Sequence, residues 1–151
     1  MIRIMFVCHG NICRSPMAEF VLKDMLRKRG LDNKISVASS ATSTEEIGND
    51  IHRGTRSILE KYSIPYSRRE ATQLVRSDYG EYDYFIGMDS ANLRNMHRIF
   101  GSDPEHKITK LLDLTARAGD VADPWYTGNF EATYRDVTKG CEALIEKILN
   151  Q

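Results

Sequence analysis

Apolar positions along the chain alternate between two periods. Residues 2–7 (IRIMFV) are mostly apolar and predict a buried strand. Ala18, Val21, Leu22, Met25 and Leu26 then recur at helical spacing. Ser15-Pro16 opens this helix, with Ser suited to the N-cap and Pro to the first turn. Gly30 closes it after the basic turn Arg27-Lys28-Arg29, which complements the helix dipole. Residues 35–38 predict a short second strand. Asn49-Asp50 is expected to cap a helix that carries Ile51, Ile58, Leu59 and Tyr62 on one face and stops at Pro65. Residues 84–88 (YFIGM) predict a third strand, followed by a helix capped at Asp89 or Ser90 and carrying Leu93, Met96 and Ile99. Residues 107–112 (KITKLL) predict a fourth strand, and 115–129 read as a loop with Gly119, Pro124 and Gly128. A last helix over 130–149 carries the stripe Tyr134, Val137, Cys141, Leu144, Ile145 and Ile148.

Strands alternating with helices imply βαβ units: an α/β fold whose four-stranded parallel sheet is flanked by helices on both faces. Ligands of such sheets bind beyond the carboxyl ends of the strands. The first strand ends at Val7, so chemistry is expected in the residues just after it.

Composition narrows the class. The 151 residues suit a single domain spanning 1–151. Lys+Arg and Asp+Glu both number 21, so the formal net charge is zero. That balance argues against capture of nucleic acid by bulk electrostatics, while leaving room for a local positive pocket. No apolar run approaches the ~20 residues that span a bilayer. The opening segment lacks the basic region and apolar length of a signal peptide, so the expected location is cytoplasmic. Cys8, Cys13 and Cys141 make an odd count and predict free thiols rather than a disulfide scaffold.

The loop after the first strand reads Cys8-His9-Gly10-Asn11-Ile12-Cys13-Arg14-Ser15-Pro16. A loop of this length feeding a helix can curl so that successive backbone N–H groups point inward as an anion nest. The helix N-terminus adds positive potential there. Arg14 supplies a planar fork for two phosphate oxygens. Cys8 then lies at the base of a phosphate-shaped cradle whose field stabilises its thiolate. The loop is neither the nucleotide phosphate loop, since no Gly-Lys-Ser/Thr follows, nor the dinucleotide fingerprint, since Gly10 is its only glycine.

The stretch VCHGNICRSPMAE (7–19) resembles the signature of the low-molecular-weight protein tyrosine phosphatases. Asp123-Pro124-Trp125-Tyr126-Thr127-Gly128 resembles that family's Asp-Pro-aromatic-aromatic loop, and Met88-Asp89-Ser90-Ala91-Asn92-Leu93 its Met-Asp-x-x-Asn-Leu segment. The resemblance covers essentially the whole chain and is closest to bacterial members. It implies a single-domain Rossmann-like sandwich that hydrolyses phosphotyrosine in proteins, and aryl phosphates, through a phosphocysteine, with no cofactor and no metal. By the same resemblance Cys8 is the nucleophile, and Arg14 with the loop N–H groups stabilises the transferring phosphoryl group. Asp123 protonates the leaving phenolate and then activates water. Ser15 donates to the Cys8 thiolate, Asn11 and Ser39 hold the loop in shape, and Cys13 is placed to trap oxidised Cys8 as a disulfide. His9, Gly10, Asn11, Ile12, Cys13 and Ser15 make up the substrate-binding loop, and Cys141 is a core residue. The implied partners are phosphotyrosine proteins and phosphate or another oxyanion, with neither nucleic acid nor membrane.

Trp125 and Tyr126 suit the wall of a slot for a phenyl ring. Glu45 departs from the family, which usually carries an aromatic residue there. A carboxylate at that point repels acidic peptides and favours basic ones. Three rival functions are weaker. A protein-arginine phosphatase of the same family carries Thr where Ile12 stands, and Ile12 fits an aryl substrate better. An arsenate reductase of this fold needs further cysteines to relay a disulfide, and 76–96 contains none. A binding module without catalysis needs neither the thiol nor a proton donor.

Overall fold

Four short parallel strands set the frame of the computed structural model, which describes residues 1–151. They are β1 (Ile2–Cys8), β2 (Ile35–Ala41), β3 (Tyr84–Gly87) and β4 (Ile108–Lys110), in the order β2-β1-β3-β4. Register runs from Ile2 opposite Ile35 to Cys8 opposite Ala41, and from Ile4 opposite Tyr84 to Val7 opposite Gly87. The chain leaves β1 toward β2 on one side and reaches β3 on the other. The strand order therefore reverses at β1, and a crevice opens at its carboxyl end, where Cys8 sits.

Alternation along β1 divides the core. Ile4, Phe6 and Cys8 face one side, where α1 (Arg14–Lys28), α2 (Arg53–Lys61) and α5 (Phe130–Leu149) pack. Met5 and Val7 face the other, against Phe85, Leu74, and Met96 and Phe100 of α3 (Ser90–Phe100). Helices cover both faces, as the alternation of periods predicts. No helix is long and apolar enough to cross a membrane.

Element ends depart from the sequence expectation for local reasons. Helix α1 starts at Arg14, and Ser15 is not its N-cap, because its hydroxyl is used inside the loop. Gly30 closes α1 as expected: at φ +70° it donates to Arg27 O, while Leu31 donates to Leu26 O at 2.8 Å. Strand β2 extends three residues beyond Ala38. The cap of α2 is His52 rather than Asn49-Asp50; its Nδ1 accepts from Gly54 N at 3.0 Å. Asp50 instead accepts from the N–H groups of Ile51 and Arg69 and shapes the loop before the helix. The run 107–112 gives only three strand residues, then a 3-10 turn, Leu111–Leu114, because a short apolar run does not distinguish the two. The loop 115–129 contains one helical turn, α4 (Pro124–Thr127), capped by Asp123. Helix α5 has the expected bounds. Its stripe is buried except at Tyr134, which is half-buried and stacks on Tyr62.

Two glycines allow close approach. Phe130 lies over Gly54, where a Cβ would come within 2.4 Å of the ring. Leu111 lies over Gly140, where a Cβ would come within 2.3 Å of Leu111 Cγ. Alanine favours a helix interior, so Gly140→Ala would stabilise an isolated α5. In the folded chain the clash with buried Leu111 outweighs that gain, and urea unfolding is expected to show a loss of about 1–3 kcal/mol.

Candidate active site

The loop from Cys8 to Arg14 turns its carbonyls outward. Thr42 N donates to Cys8 O at 3.0 Å, Ser43 N to His9 O at 3.1 Å, His52 N to Ile12 O at 2.9 Å, and Thr55 Oγ1 to Cys13 O at 3.0 Å. The Arg69 guanidinium donates to Asn11 O. With the carbonyls held by surrounding elements, the N–H groups of Gly10, Ile12, Cys13 and Arg14 have no protein acceptor. Asn11 N donates to Cys8 Sγ at 3.3 Å. Such a ring of convergent donors is an anion nest, reinforced by the N-terminus of α1.

Asn11 holds the curl. It is fully buried with φ +58°, a left-handed conformation that Asn tolerates better than most residues. Its Nδ2 donates to Ser15 Oγ at 2.8 Å and Ser39 Oγ at 2.9 Å, and its Oδ1 accepts from Thr72 N at 3.2 Å. The Ser39 hydroxyl in turn donates to Glu19 Oε1 at 2.6 Å. Since Asn11 occupies a lone pair of Ser15 Oγ, the Ser15 hydroxyl proton is free for Cys8 Sγ, 3.0 Å away. Asn11 and Ser15, expected among the substrate-binding residues, do not line the pocket: both are fully buried, and with Ser39 their side chains support the loop from beneath.

The pocket above is lined by Cys8, His9, Gly10, Ile12, Cys13 and Arg14, by Glu45 and Glu46 after β2, and by Asp123, Trp125 and Tyr126 before α5. Ten residues singled out in the sequence, Glu45 among them, converge on one opening. Trp125 and Tyr126 are 57% and 84% exposed, so their rings are available to a ligand rather than committed to the core. His9 Nε2 lies 3.0 Å from Glu45 Oε2, an exposed pair at the rim.

Arg14 is 2% exposed, and its charge is held from three sides. Nη1 donates to Asp89 Oδ2 at 2.8 Å and Val121 O at 2.9 Å; Nη2 donates to Asp123 Oδ2 at 3.4 Å. Burial alone would depress its pKa, but Cys8, Asp89 and Asp123 outweigh burial and raise it. Asp123 Oδ1 accepts from Trp125 N at 3.1 Å. Burial, followed by the negative charges of Cys8 and Asp123, pushes the Cys13 thiol up to about 12, so Cys13 stays protonated beside Cys8. Burial also pushes the Cys141 thiol up, within the apolar stripe of α5. All three cysteines are free, and no group of three or more His, Cys, Asp or Glu side chains is arranged to hold a metal ion.

Sequence reasoning missed four supports. Asp89 lies in the recognised Met88–Leu93 motif, but nothing local to that motif tells that its carboxylate reaches Arg14. Arg69, Thr72 and His52 meet the loop only through tertiary packing.

A thiol at the base of an oxyanion cradle, with a carboxyl across the opening, defines a cysteine-dependent phosphomonoesterase. Comparison with known proteins agrees. The sequence model described as low molecular weight phosphotyrosine protein phosphatase matches residues 3–151. The chain is 40% identical over 150 residues to the low molecular weight protein-tyrosine-phosphatase YfkJ of Bacillus subtilis, covering 98% of this chain and 96% of that protein. It is 40% identical over 150 residues to the low molecular weight protein-tyrosine-phosphatase PtpA of Staphylococcus epidermidis, covering 99% and 95%. The crystal structure of YfkJ superposes with a TM-score of 0.96 at 39% identity, over 99% of this chain and 96% of that one. A low molecular weight protein tyrosine phosphatase from Streptococcus pyogenes superposes at 0.88 with 42% identity, over 97% and 93%. The chain belongs to the low molecular weight phosphotyrosine protein phosphatases, a family of cysteine-dependent hydrolases.

Asp89→Asn keeps an acceptor for the cap on Asn92 N but removes the charge that aims Arg14. It is expected to lower kcat/KM by about tenfold or more, because small misplacements of a clamp are amplified in rate, and to lower the melting temperature as well, because the nearly buried Arg14 loses its best-placed counter-charge.

Proposed function

We propose that the chain hydrolyses phosphotyrosine in proteins in two phosphoryl transfers, with Cys8, Arg14 and Asp123 as its catalytic groups. Cys8 Sγ attacks phosphorus; the S–P bond forms as the P–O(aryl) bond breaks, and Asp123 gives its proton to the departing phenolate oxygen. Water then attacks the phosphocysteine. Asp123 takes the water's proton, the S–P bond breaks, and phosphate leaves with the Cys8 thiolate restored. Arg14 and the N–H groups of Gly10, Ile12, Cys13 and Arg14 hold the equatorial oxygens throughout, so stabilisation is positional and electrostatic. The observation that carries this reading is the set of inward N–H groups around Cys8 Sγ, with Asp123 fixed across them by Arg14 and Trp125 N.

Ile12, lining the pocket, favours an aryl ester over phosphoarginine, whose guanidino group needs polar contacts that a branched apolar side chain does not make. Glu45 and Glu46 on the rim favour tyrosines flanked by basic residues. Free thiols suit work in a reducing compartment, the cytoplasm.

Cys8→Ser is expected to abolish p-nitrophenyl phosphate hydrolysis, measured without added metal; retained activity would sink the mechanism. Phosphotyrosine peptides are expected to turn over faster than phosphoarginine peptides, and the reverse order would overturn the Ile12 argument. Among phosphotyrosine peptides, Arg flanks should beat Glu flanks by several-fold in low salt. Glu45→Lys should narrow that gap, and an unchanged ratio would remove Glu45 from substrate choice.

A further inference from the structure

Asp123 has to sit at a fixed reach from the phosphate loop, yet its own loop is largely exposed. Arg14 contacts it only at 3.4 Å, and that guanidinium is also needed by the substrate. Trp125 has one aromatic partner, His52, met edge-on with ring centroids 5.6 Å apart and planes at 75°.

His52 is fixed by three elements other than the acid loop. Its backbone N–H donates to Ile12 O at 2.9 Å, tying it to the phosphate loop. Its Nδ1 accepts from Gly54 N at 3.0 Å and caps α2. Its ring stacks on Phe130, the first residue of α5, with centroids 5.2 Å apart and planes at 16°. Phe130 is itself seated on Gly54, which leaves no room for a Cβ. An Nδ1 that accepts needs its lone pair, so the ring's proton lies on Nε2. Burial first, then Arg53 and Arg56, lowers the His52 pKa and favours that neutral ring.

We propose that His52 is a positioning residue for the general acid: its ring seats the Trp125 indole, and the Trp125 backbone N–H, donating to Asp123 Oδ1 at 3.1 Å, holds the carboxyl at reach of the leaving oxygen. One residue thus sets the gap between the phosphate loop and the acid loop, since the same His52 is bonded to Ile12. The inference rests on the reading of Asp123 as the proton donor.

Leaving-group dependence separates positioning from mere structural support. Phenyl phosphate expels a phenolate whose conjugate acid has a pKa of ~10 and needs the proton. 2,4-Dinitrophenyl phosphate expels a far weaker base and needs it little. His52→Asn keeps a cap acceptor and deletes the ring. It is expected to lower kcat/KM for phenyl phosphate by about tenfold, and for the dinitrophenyl ester by less than about twofold. His52→Phe restores a ring without the acceptor; the ratio of the two substrates should return toward wild type while the melting temperature falls. Trp125→Gly, at an exposed position, should shift the ratio as His52→Asn does, and the double variant should shift it no further. Trp125→Gly alone carries the test if His52→Asn does not fold.

Equal loss on both esters in His52→Asn, or an unchanged ratio in Trp125→Gly, would overturn the inference. Asp123→Asn is the reference. If it leaves the ratio at wild type, the acid assignment itself fails. If it collapses the ratio while His52→Asn does not, only the role of His52 fails.

Discussion

A concentration of positive potential in one small pocket is the constraint on which the rest of the structure depends. Backbone N–H groups that point at one spot repel each other and lack the partners that buried donors normally have. The loop from Cys8 to Arg14 keeps that arrangement because its carbonyls are claimed from outside by Thr42, Ser43, His52, Thr55 and Arg69. Asn11 locks the curl in a left-handed conformation by bonding to Ser15, Ser39 and Thr72. A sheet that reverses strand order at β1 supplies the place for it. The zero net charge of the chain is compatible with this pocket because the field comes from dipoles and one guanidinium, not from an excess of cations.

Arg14 shows how charge is handled inside that pocket. A nearly buried guanidinium is costly unless paired, and here Asp89, Val121 O and Asp123 share it. Asp89 bonds it at 2.8 Å and acts as the fixed partner, while Asp123, at 3.4 Å, is the looser one. That asymmetry suits the chemistry. One carboxylate aims the fork permanently, and the other keeps an oxygen close to the opening where a proton must be given and then taken.

Much of this was legible in the sequence. The fold class followed from alternating periods, and β1, α3 and α5 were placed to within a residue or so, because long amphipathic stripes and caps such as Asp89 are local signals. The ends of β2, β4 and α2 were not, since Ser39 to Ala41 carry no strand pattern and His52 is an uncommon cap. Ser15 misled as an N-cap because its hydroxyl serves a sulfur seven residues away. The pocket's chemical groups were visible because motif spacing encodes them. Its supports Asp89, Arg69, Thr72 and His52 were not, because each acts through a contact more than 35 residues distant that no local pattern records.

The central claim is that one sulfur, Cys8 Sγ, carries the phosphoryl group between substrate and water. Rapid acid quench during turnover of an aryl phosphate, followed by peptide mass spectrometry, tests it directly. The account predicts a phosphoryl group on the peptide containing Cys8, present during turnover and gone once substrate is exhausted. Phosphoryl transfer to any other residue, or steady hydrolysis with Cys8 never modified, would contradict it.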